Sequence, residues 1–348
     1  MEILITGANG FLGRHLVTAL QERGDTIRAL VLPAEDASWL EARGVATYRG
    51  DIRDAASLSA PMQGAHAVFH LAAMQHVWRP MPDYHAVNVR GTENVCRAAL
   101  AAGVQRLVHV SSTSVYGLGL GRTVTEEFPL TPFRDPYALT KAEGERVVQR
   151  MIVKEKLPAV IIRPDQFFGP GDRVHFAETA ERLRAGKGVI VGSGRNPLPL
   201  IYVTDVVQGL LLALDTAHAV GRAYNISSDD VLTQEEYLRT IASAIGVDVP
   251  HVRIPYVPLF VAAWALERLC SVTRSRRRPP ATSFGVAFVA TSSRHSNGRA
   301  RRELAFSPRV PLREGAQRTA LWYLREHASM EELSPRVVPE VERLGLES

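Results

Sequence analysis

The sequence predicts an α/β protein: a doubly wound parallel sheet joined to a smaller, mostly helical C-terminal domain. Three observations predict it. Short apolar runs alternate with helical patterns through the first half, the signature of βαβ units. The runs are nearly continuous in apolar character, as strands covered by helices on both faces must be. From about Thr233, helical patterns separated by Pro/Arg-rich connections take over. The expected division gives residues 1–165 plus about 198–230 to the sheet domain, and about 166–197 plus 231–348 to a substrate domain.

In chain order, the short β-rich runs 3–5, 26–32, 67–70, 107–111 and 159–163 read as strands. Helices are expected at 11–23, 83–102 and 137–155, between the strands. Segment 189–203 carries Gly192, Gly194, Pro197 and Pro199 ahead of Leu-Ile-Tyr-Val, which reads as a loop and then a strand returning to the sheet. Helices at 234–245, 259–269 and 312–326 follow, and no internal repeat suggests a solenoid.

With 348 residues the chain can hold one large or two small domains, and 46% apolar with 22% charged residues argues against disorder and against a polytopic membrane protein. Lys+Arg outnumber Asp+Glu by 41 to 36. The excess is split between Arg274, Arg276, Arg277, Arg278 and Arg299, Arg301, Arg302 and forms no single stripe, so no nucleic-acid partner is expected. Cys96 and Cys270 lie far apart without metal-ligand spacing, so neither a disulfide framework nor a metal site is expected, and a reducing cytoplasm fits. The N-terminus reaches Gly7 before an apolar signal region can form. The longest apolar stretch, 254–266, holds two prolines and falls short of the ~20 residues a spanning helix needs. No membrane span is expected; a peripheral contact stays open.

Thr6-Gly7-Ala8-Asn9-Gly10-Phe11-Leu12-Gly13 follows the first strand and opens the first helix, which is the context of a dinucleotide-binding turn. Gly7 permits the tight turn, Gly10 lets the backbone approach a pyrophosphate, Gly13 packs the helix closely, and the helix N-terminus holds the anion. The choice between NAD and NADP stays open. An acidic residue about 20 positions on would bind the ribose 2′-hydroxyl. Here the second strand ends Leu30-Val31-Leu32-Pro33, Glu35 and Asp36 lie beyond the proline, and Arg14 is the cation within reach of a 2′-phosphate. Asp51 and Ile52, after the third strand, stand where a carboxylate bonds an adenine amine. His70-Leu71-Ala72-Ala73 closes the fourth strand with small residues, as backbone lying against a cofactor requires.

Ser112 and, 25 positions on, Tyr137-Ala-Leu-Thr-Lys141 supply proton-transfer chemistry. Tyr137 and Lys141 are i and i+4 on one helix face. A free tyrosine titrates near 10, and a neighbouring ammonium favours the phenolate, so Lys141 is expected to lower the Tyr137 pKa. Ser112 ends a strand, where α/β sheets place ligands, and its hydroxyl would hold the substrate oxygen while Tyr137 moves the proton, with Thr113 and Ser114 beside it.

With these residues in place the chain resembles the extended short-chain dehydrogenases/reductases, over nearly its whole length. Thr6–Gly13, Asp51, the run at His70, Asn88-Val-Arg-Gly-Thr92, Ser111-Ser-Thr-Ser-Val-Tyr-Gly117, Tyr137/Lys141, Arg163-Pro164, Gly169-Pro-Gly-Asp172 and Tyr202-Val-Thr-Asp205 occur in family order. The resemblance implies a Rossmann fold, an NAD or NADP cofactor and a homodimer through the helices at 83–102 and 137–155. It also implies Tyr137 as acid/base, Lys141 on the nicotinamide ribose, Ser112 on the substrate oxygen, and Asn88, Ser111, Arg163 and Pro164 near the cofactor. Nucleotide-sugar epimerases and dehydratases of this family carry Arg-Asp-Phe before Tyr-Val-x-Asp, where this chain has Leu198-Pro199-Leu200. Without that cation a charge-assisted contact to a diphosphate is lost. The apolar run 255–269 and the ending Ser296-Asn-Gly-Arg-Ala-Arg-Arg-Glu-Leu304, Pro308, Gly315, Trp322-Tyr323 resemble the 3β-hydroxysteroid dehydrogenase branch. This implies a secondary alcohol or ketone on a hydrophobic substrate, with Thr113, His76, Trp78 and Gln166 on the substrate side. A nucleotide-sugar epimerase or dehydratase is the alternative. A non-catalytic cofactor-sensing regulator is the alternative from another class, and the intact Ser112, Tyr137 and Lys141 argue against it. The 259–269 segment either covers a greasy pocket or dips into a membrane surface with Arg274 to Arg278 at the headgroups.

Overall fold

The computed structural model describes residues 1–75, 77–273, 275 and 278–327. Strands β1 (Glu2–Thr6), β2 (Thr26–Val31), β3 (Ala46–Arg49), β4 (Ala67–His70), β5 (Arg106–Val110), β6 (Ala159–Pro164) and β7 (Ala223–Ile226) form one parallel sheet in the order β7-β6-β5-β4-β1-β2-β3. Alternate residues of each strand face opposite sides, which explains the continuously apolar runs. Ile3 and Ile5 pack with Leu16 and Leu20 of α1 (Phe11–Glu22) on one side. Leu4 packs on the other side with Val95 and Ala99 of α2 (Thr92–Ala101) and Val147 and Met151 of α3 (Pro136–Glu155). The chain moves outward from β1 through β3 and then crosses back to β4 on the far side of β1. A crevice opens beyond the carboxyl ends of the strands at such a switch point.

A second core lies beyond those ends. It joins Phe176 and Ala180 of α4 (His175–Arg184), the start of α5 (Val203–Asp215) through Tyr202, Ile241 of α6 (Gln234–Ala244), and Leu312, Ala316 and Leu321 near the chain end. A smaller cluster gathers Ala263 of α7 (Tyr256–Val272) and Val286 of α8 (Ser283–Ala290). Helices α9 (Gly298–Leu304) and α10 (Leu312–His327) end the described chain. None of the described helices is long and apolar enough to cross a membrane.

Three expectations need correction. The helix expected at 83–102 is one turn (Met81–His85), a widened π-turn (Ala86–Gly91) and then α2. The π-turn holds Asn88, whose amide bonds the Met74 backbone in both directions, Nδ2 to the carbonyl at 3.0 Å and Oδ1 from the N–H at 2.7 Å. Leu200–Tyr202 does not return to the main sheet; it pairs with Gln166–Phe168, the segment that leaves the sheet after Pro164. The sheet edge is filled by β7, whose Asn225 accepts a 2.8 Å hydrogen bond from the Tyr116 hydroxyl. The helix expected at 259–269 runs from Tyr256 to Val272, because Pro255 at its N-cap and Pro258 in its first turn start a helix without breaking it.

Candidate active site

The glycine turn is held by its surroundings. Gly7 has φ +77, and a Cβ there would sit 2.8 Å from the Ala72 amide nitrogen; a Cβ on Gly13 would collide with the Gly7 carbonyl oxygen. Helix α1 starts after Gly10 with no side-chain cap and no acidic residue in its first turn. Its first amides are therefore available to an anion. This cradle fits the pyrophosphate of a dinucleotide. Phe11 stacks on Phe167 at 5.8 Å, while Leu12 and Gly13 are buried.

A buried hydrogen-bond chain locks the turn to the next loop. The Ala72 amide donates to Thr6 Oγ1 at 3.3 Å, Thr6 Oγ1 meets His70 Nδ1 at 2.8 Å, His70 Nε2 meets Thr92 Oγ1 at 3.0 Å, and Thr92 donates to the Asn88 carbonyl at 2.8 Å. Thr92 spends its proton on Asn88, so it accepts from His70, and the imidazole is assigned as the neutral Nε2–H tautomer. Burial, with Lys141 nearby, pushes the His70 pKa down to about 3. The imidazole is therefore a fixed strut and does not titrate at physiological pH.

On the side expected to take the adenosine, the polar side chains are bonded to one another. The Asp51 carboxylate is gripped by Arg53 Nε at 2.9 Å, a bond that lowers its pKa, and Ile52 is buried against Gly91. Asn9 Nδ2 donates to the Asp36 carbonyl at 2.6 Å while its Oδ1 accepts from Arg14 Nη2 at 2.8 Å. The Arg14 guanidinium lies over the Trp39 ring, 4.9 Å from its centroid. Trp39 sits in the four-residue helix Ser38–Glu41, which carries no motif, so sequence reading missed it.

Asp135 caps α3 through the amides of Tyr137 and Ala138, with Pro136 in the first turn, which fixes Tyr137 at the helix start. The Tyr137 hydroxyl is hydrogen-bonded to Ser112, and Ser112 Oγ also accepts from the Ser114 amide at 3.1 Å. Lys141 is buried and donates from Nζ to the Val110 carbonyl at 2.6 Å. The expected lowering of Tyr137 does not occur in the protein alone. Burial pushes the phenol up to about 12 against the downward pull of Ser112. The Lys141 ammonium is spent on the strand carbonyl, and its own burial lowers it to about 8.

Ser111 and Arg163 are tied to one acidic residue. Ser111 Oγ donates to Glu145 Oε2 at 2.6 Å, and Arg163 forms a buried ion pair with Glu145 at 2.5 Å and bonds the Tyr116 hydroxyl. Their side chains brace β5, β6 and α3 beneath the crevice. Asn88 likewise binds Met74 and Thr140 and acts as a clamp on the loop after β4.

Two cavities meet at Tyr137. One, of about 570 Å³, runs from Asn9 and Phe11 past Ser111, Ser112, Thr113 and Pro164. The other, of about 1720 Å³, is walled by Phe133, Phe168, Phe260, Phe284 and Trp78. Tyr137 and Gln166 line both. Leu71, Ala72 and Ala73 form the loop after β4 that carries the Ala72–Thr6 bond. Trp78 donates from Nε1 to the Ser275 carbonyl at 3.0 Å. His76, Arg274, Arg276 and Arg277 lie outside the described residues. Thr113 donates to Asp165 Oδ1 at 2.9 Å, and the same oxygen takes His295 Nδ1 at 2.5 Å. This buried Thr113–Asp165–His295 group unites residues 130 positions apart in sequence, and no local signal marks it.

Comparison with known proteins agrees with this geometry. The model of the NAD dependent epimerase/dehydratase family matches residues 3–227. The chain is 34% identical to a 2-alkyl-3-oxoalkanoate reductase of Stenotrophomonas maltophilia (strain K279a), covering 91% of this chain and 98% of the relative. It is 30% identical to 3beta-hydroxysteroid-dehydrogenase/decarboxylase isoform 1 of Arabidopsis thaliana, covering 91% and 78%. Among solved structures it is similar to gox2253 (TM-score 0.79, 29% identity, covering 94% and 98%) and to MoeE5 in complex with UDP-glucose and NAD (TM-score 0.74, 26% identity, covering 94% and 99%). A glycine turn built for a dinucleotide, a tyrosine at the junction of two cavities, and this breadth of similarity lead to one conclusion: the chain belongs to the NAD dependent epimerase/dehydratase family, as an extended short-chain dehydrogenase/reductase.

Proposed function

We propose that the protein interconverts a secondary alcohol and a ketone on a hydrophobic substrate, with Tyr137 as the acid/base. One observation carries the reading: Tyr137 lines both the cavity that reaches the glycine turn and the larger one walled by aromatic side chains. A bound nicotinamide dinucleotide supplies or accepts the hydride. Tyr137, a phenol whose pKa burial keeps well above neutral pH, gives its proton to the ketone oxygen. The Ser112 hydroxyl, already bonded to Tyr137, holds that oxygen. Lys141, tethered to the Val110 carbonyl, keeps a positive charge beneath the site.

The relatives support this direction: one is a 2-alkyl-3-oxoalkanoate reductase and another a 3beta-hydroxysteroid dehydrogenase/decarboxylase. The Leu198-Pro199-Leu200 stretch, without a cation for a diphosphate, speaks against a nucleotide sugar. Within this reading residues 1–165 with about 198–230 serve the dinucleotide and the remainder serves the substrate. The outer face of α2 and α3, where Val153 is 69% exposed, is the surface for the implied homodimer in a cytoplasmic setting. The test follows NADH and NADPH fluorescence in parallel against hydrophobic ketones and nucleotide sugars. Steady loss with a ketone supports the reading and names the cofactor; conversion of a nucleotide sugar without net cofactor loss replaces it with the epimerase.

A further inference from the structure

Most surface helices bury one face and offer a charged one to water. Helix α7 does not. Of its 17 residues only Glu267 and Arg268 are charged, yet Ala263 is its one buried residue. Val257, Val261, Trp264, Leu269 and Val272 are 65%, 54%, 48%, 58% and 82% exposed. Positions 257, 261, 264, 268 and 272 follow helical spacing, so they form one stripe in which Arg268, lying over the Trp264 ring, is the single charge. Glu267 is turned away from it, bonded to the amide and hydroxyl of Ser283. The Trp78–Ser275 bond brings the loop after β4 against the end of α7, and there Val77 and Met81 are also exposed. The same helix walls the large cavity with Leu259 and Phe260, and Trp264 and Arg268 of the stripe stand at that cavity too.

We propose that α7 docks on the surface of a bilayer containing anionic lipid, with Val257, Val261 and Val272 among the acyl chains and the cavity mouth turned to the membrane. Contiguous exposed apolar surface of this kind marks an interaction site. Charge selects the partner. Among the described residues Arg268 lies within the stripe, and Arg79 and Arg278, the latter 3.7 Å from Glu178, are exposed beside it. Such a cluster next to an apolar face matches anionic headgroups. A second copy of the chain is a poor occupant, because a twofold contact sets the same patch against itself and opposes arginine to arginine. At about 1.5 Å per residue the helix spans roughly 26 Å, less than a bilayer core of about 30 Å, so it lies on the membrane and does not cross it. The inference borrows from the proposed function only its purpose: a lipid-soluble ketone would enter without passing through water.

The test floats the full-length protein with vesicles of phosphatidylcholine alone or mixed with phosphatidylglycerol. The mixed vesicles are expected to bind it about tenfold more strongly, and added salt to release it. Val257, Val261 and Val272 line neither cavity, so the combined change Val257→Asp, Val261→Asp and Val272→Asp is expected to lower vesicle binding at least about tenfold. NADH affinity and the circular dichroism spectrum of that variant should stay unchanged, which separates lost docking from lost folding. No binding by the wild type, equal binding to neutral vesicles, or unchanged binding by the variant overturns the proposal. So does a wild-type dimer that the three substitutions split. Because no turnover is read, failure to reduce any ketone would sink the proposed function and leave this result standing.

Discussion

The two cavities that meet at Tyr137 are built on opposite principles. On the glycine-turn side the supporting framework is polar: Thr6, His70, Thr92 and Asn88 form one buried chain, and Arg163, Glu145 and Ser111 form another beneath it. On the other side the walls are aromatic rings in edge-to-face contact, such as Phe133 with Phe260 at 6.4 Å and with Phe284 at 5.9 Å. Directional bonds fix one geometry and suit a ligand of constant shape. Ring contacts are non-directional and tolerate many occupants. A cofactor shared by many enzymes calls for the first, and a substrate that varies among relatives calls for the second.

The largest effect should come at the junction. Tyr137→Phe removes the proton donor while keeping the ring, so kcat should fall about 10²- to 10⁴-fold, with NADH affinity by fluorescence titration within a factor of about two. Equal loss of cofactor affinity would place Tyr137 on the binding side of the comparison. Next is the bracing network. Glu145→Gln leaves the 3% exposed Arg163 without its counter-charge, and breaking a buried pair costs about 3–5 kcal/mol, measured as a shift of the urea midpoint. Phe133→Ala enlarges the apolar wall, and KM for a long-chain ketone should rise about tenfold while a short-chain ketone and NADH are barely affected, since each lost apolar contact area weakens only what covers it. The smallest is a pH effect. Lys141 holds its proton below about 8, so kcat/KM for reduction should be level from neutral pH to about 8 and decline above it as the ammonium is lost. Lys141→Arg, which keeps its charge, should remove that decline even at a lower absolute rate.

Legibility in the sequence follows the same division. The glycine turn, the strand-end Ser112 and Tyr137/Lys141 are each set by neighbours a few residues away, and their elements appear within a residue or two of expectation. What depends on distant partners was hidden. Nothing local shows that Glu145 binds both Ser111 and Arg163. Leu200–Tyr202 reads as a sheet strand, because its β-rich texture does not say which strand it joins. Lys141 reads as a depressor of the Tyr137 pKa from spacing alone, but its reach to the Val110 carbonyl and the burial of the pair reverse the sign. The aromatic wall is assembled from Phe133, Phe260 and Phe284, which share no segment.

The strand that closes the sheet has a consequence for biosynthesis. Strand β6 ends at Pro164, and its outer neighbour β7 is complete only at Ile226. A ribosome adding about 5–20 residues per second needs about 3–12 s for the intervening 60 or so residues. For that time β6, hydrophobic and newly made, carries an open row of amides and carbonyls, the kind of edge on which nascent chains aggregate. A synonymous slow codon between the two strands would lengthen that exposure, and a faster one would shorten it, so the yield of folded protein should respond to translation speed in that interval while the amino-acid sequence stays the same.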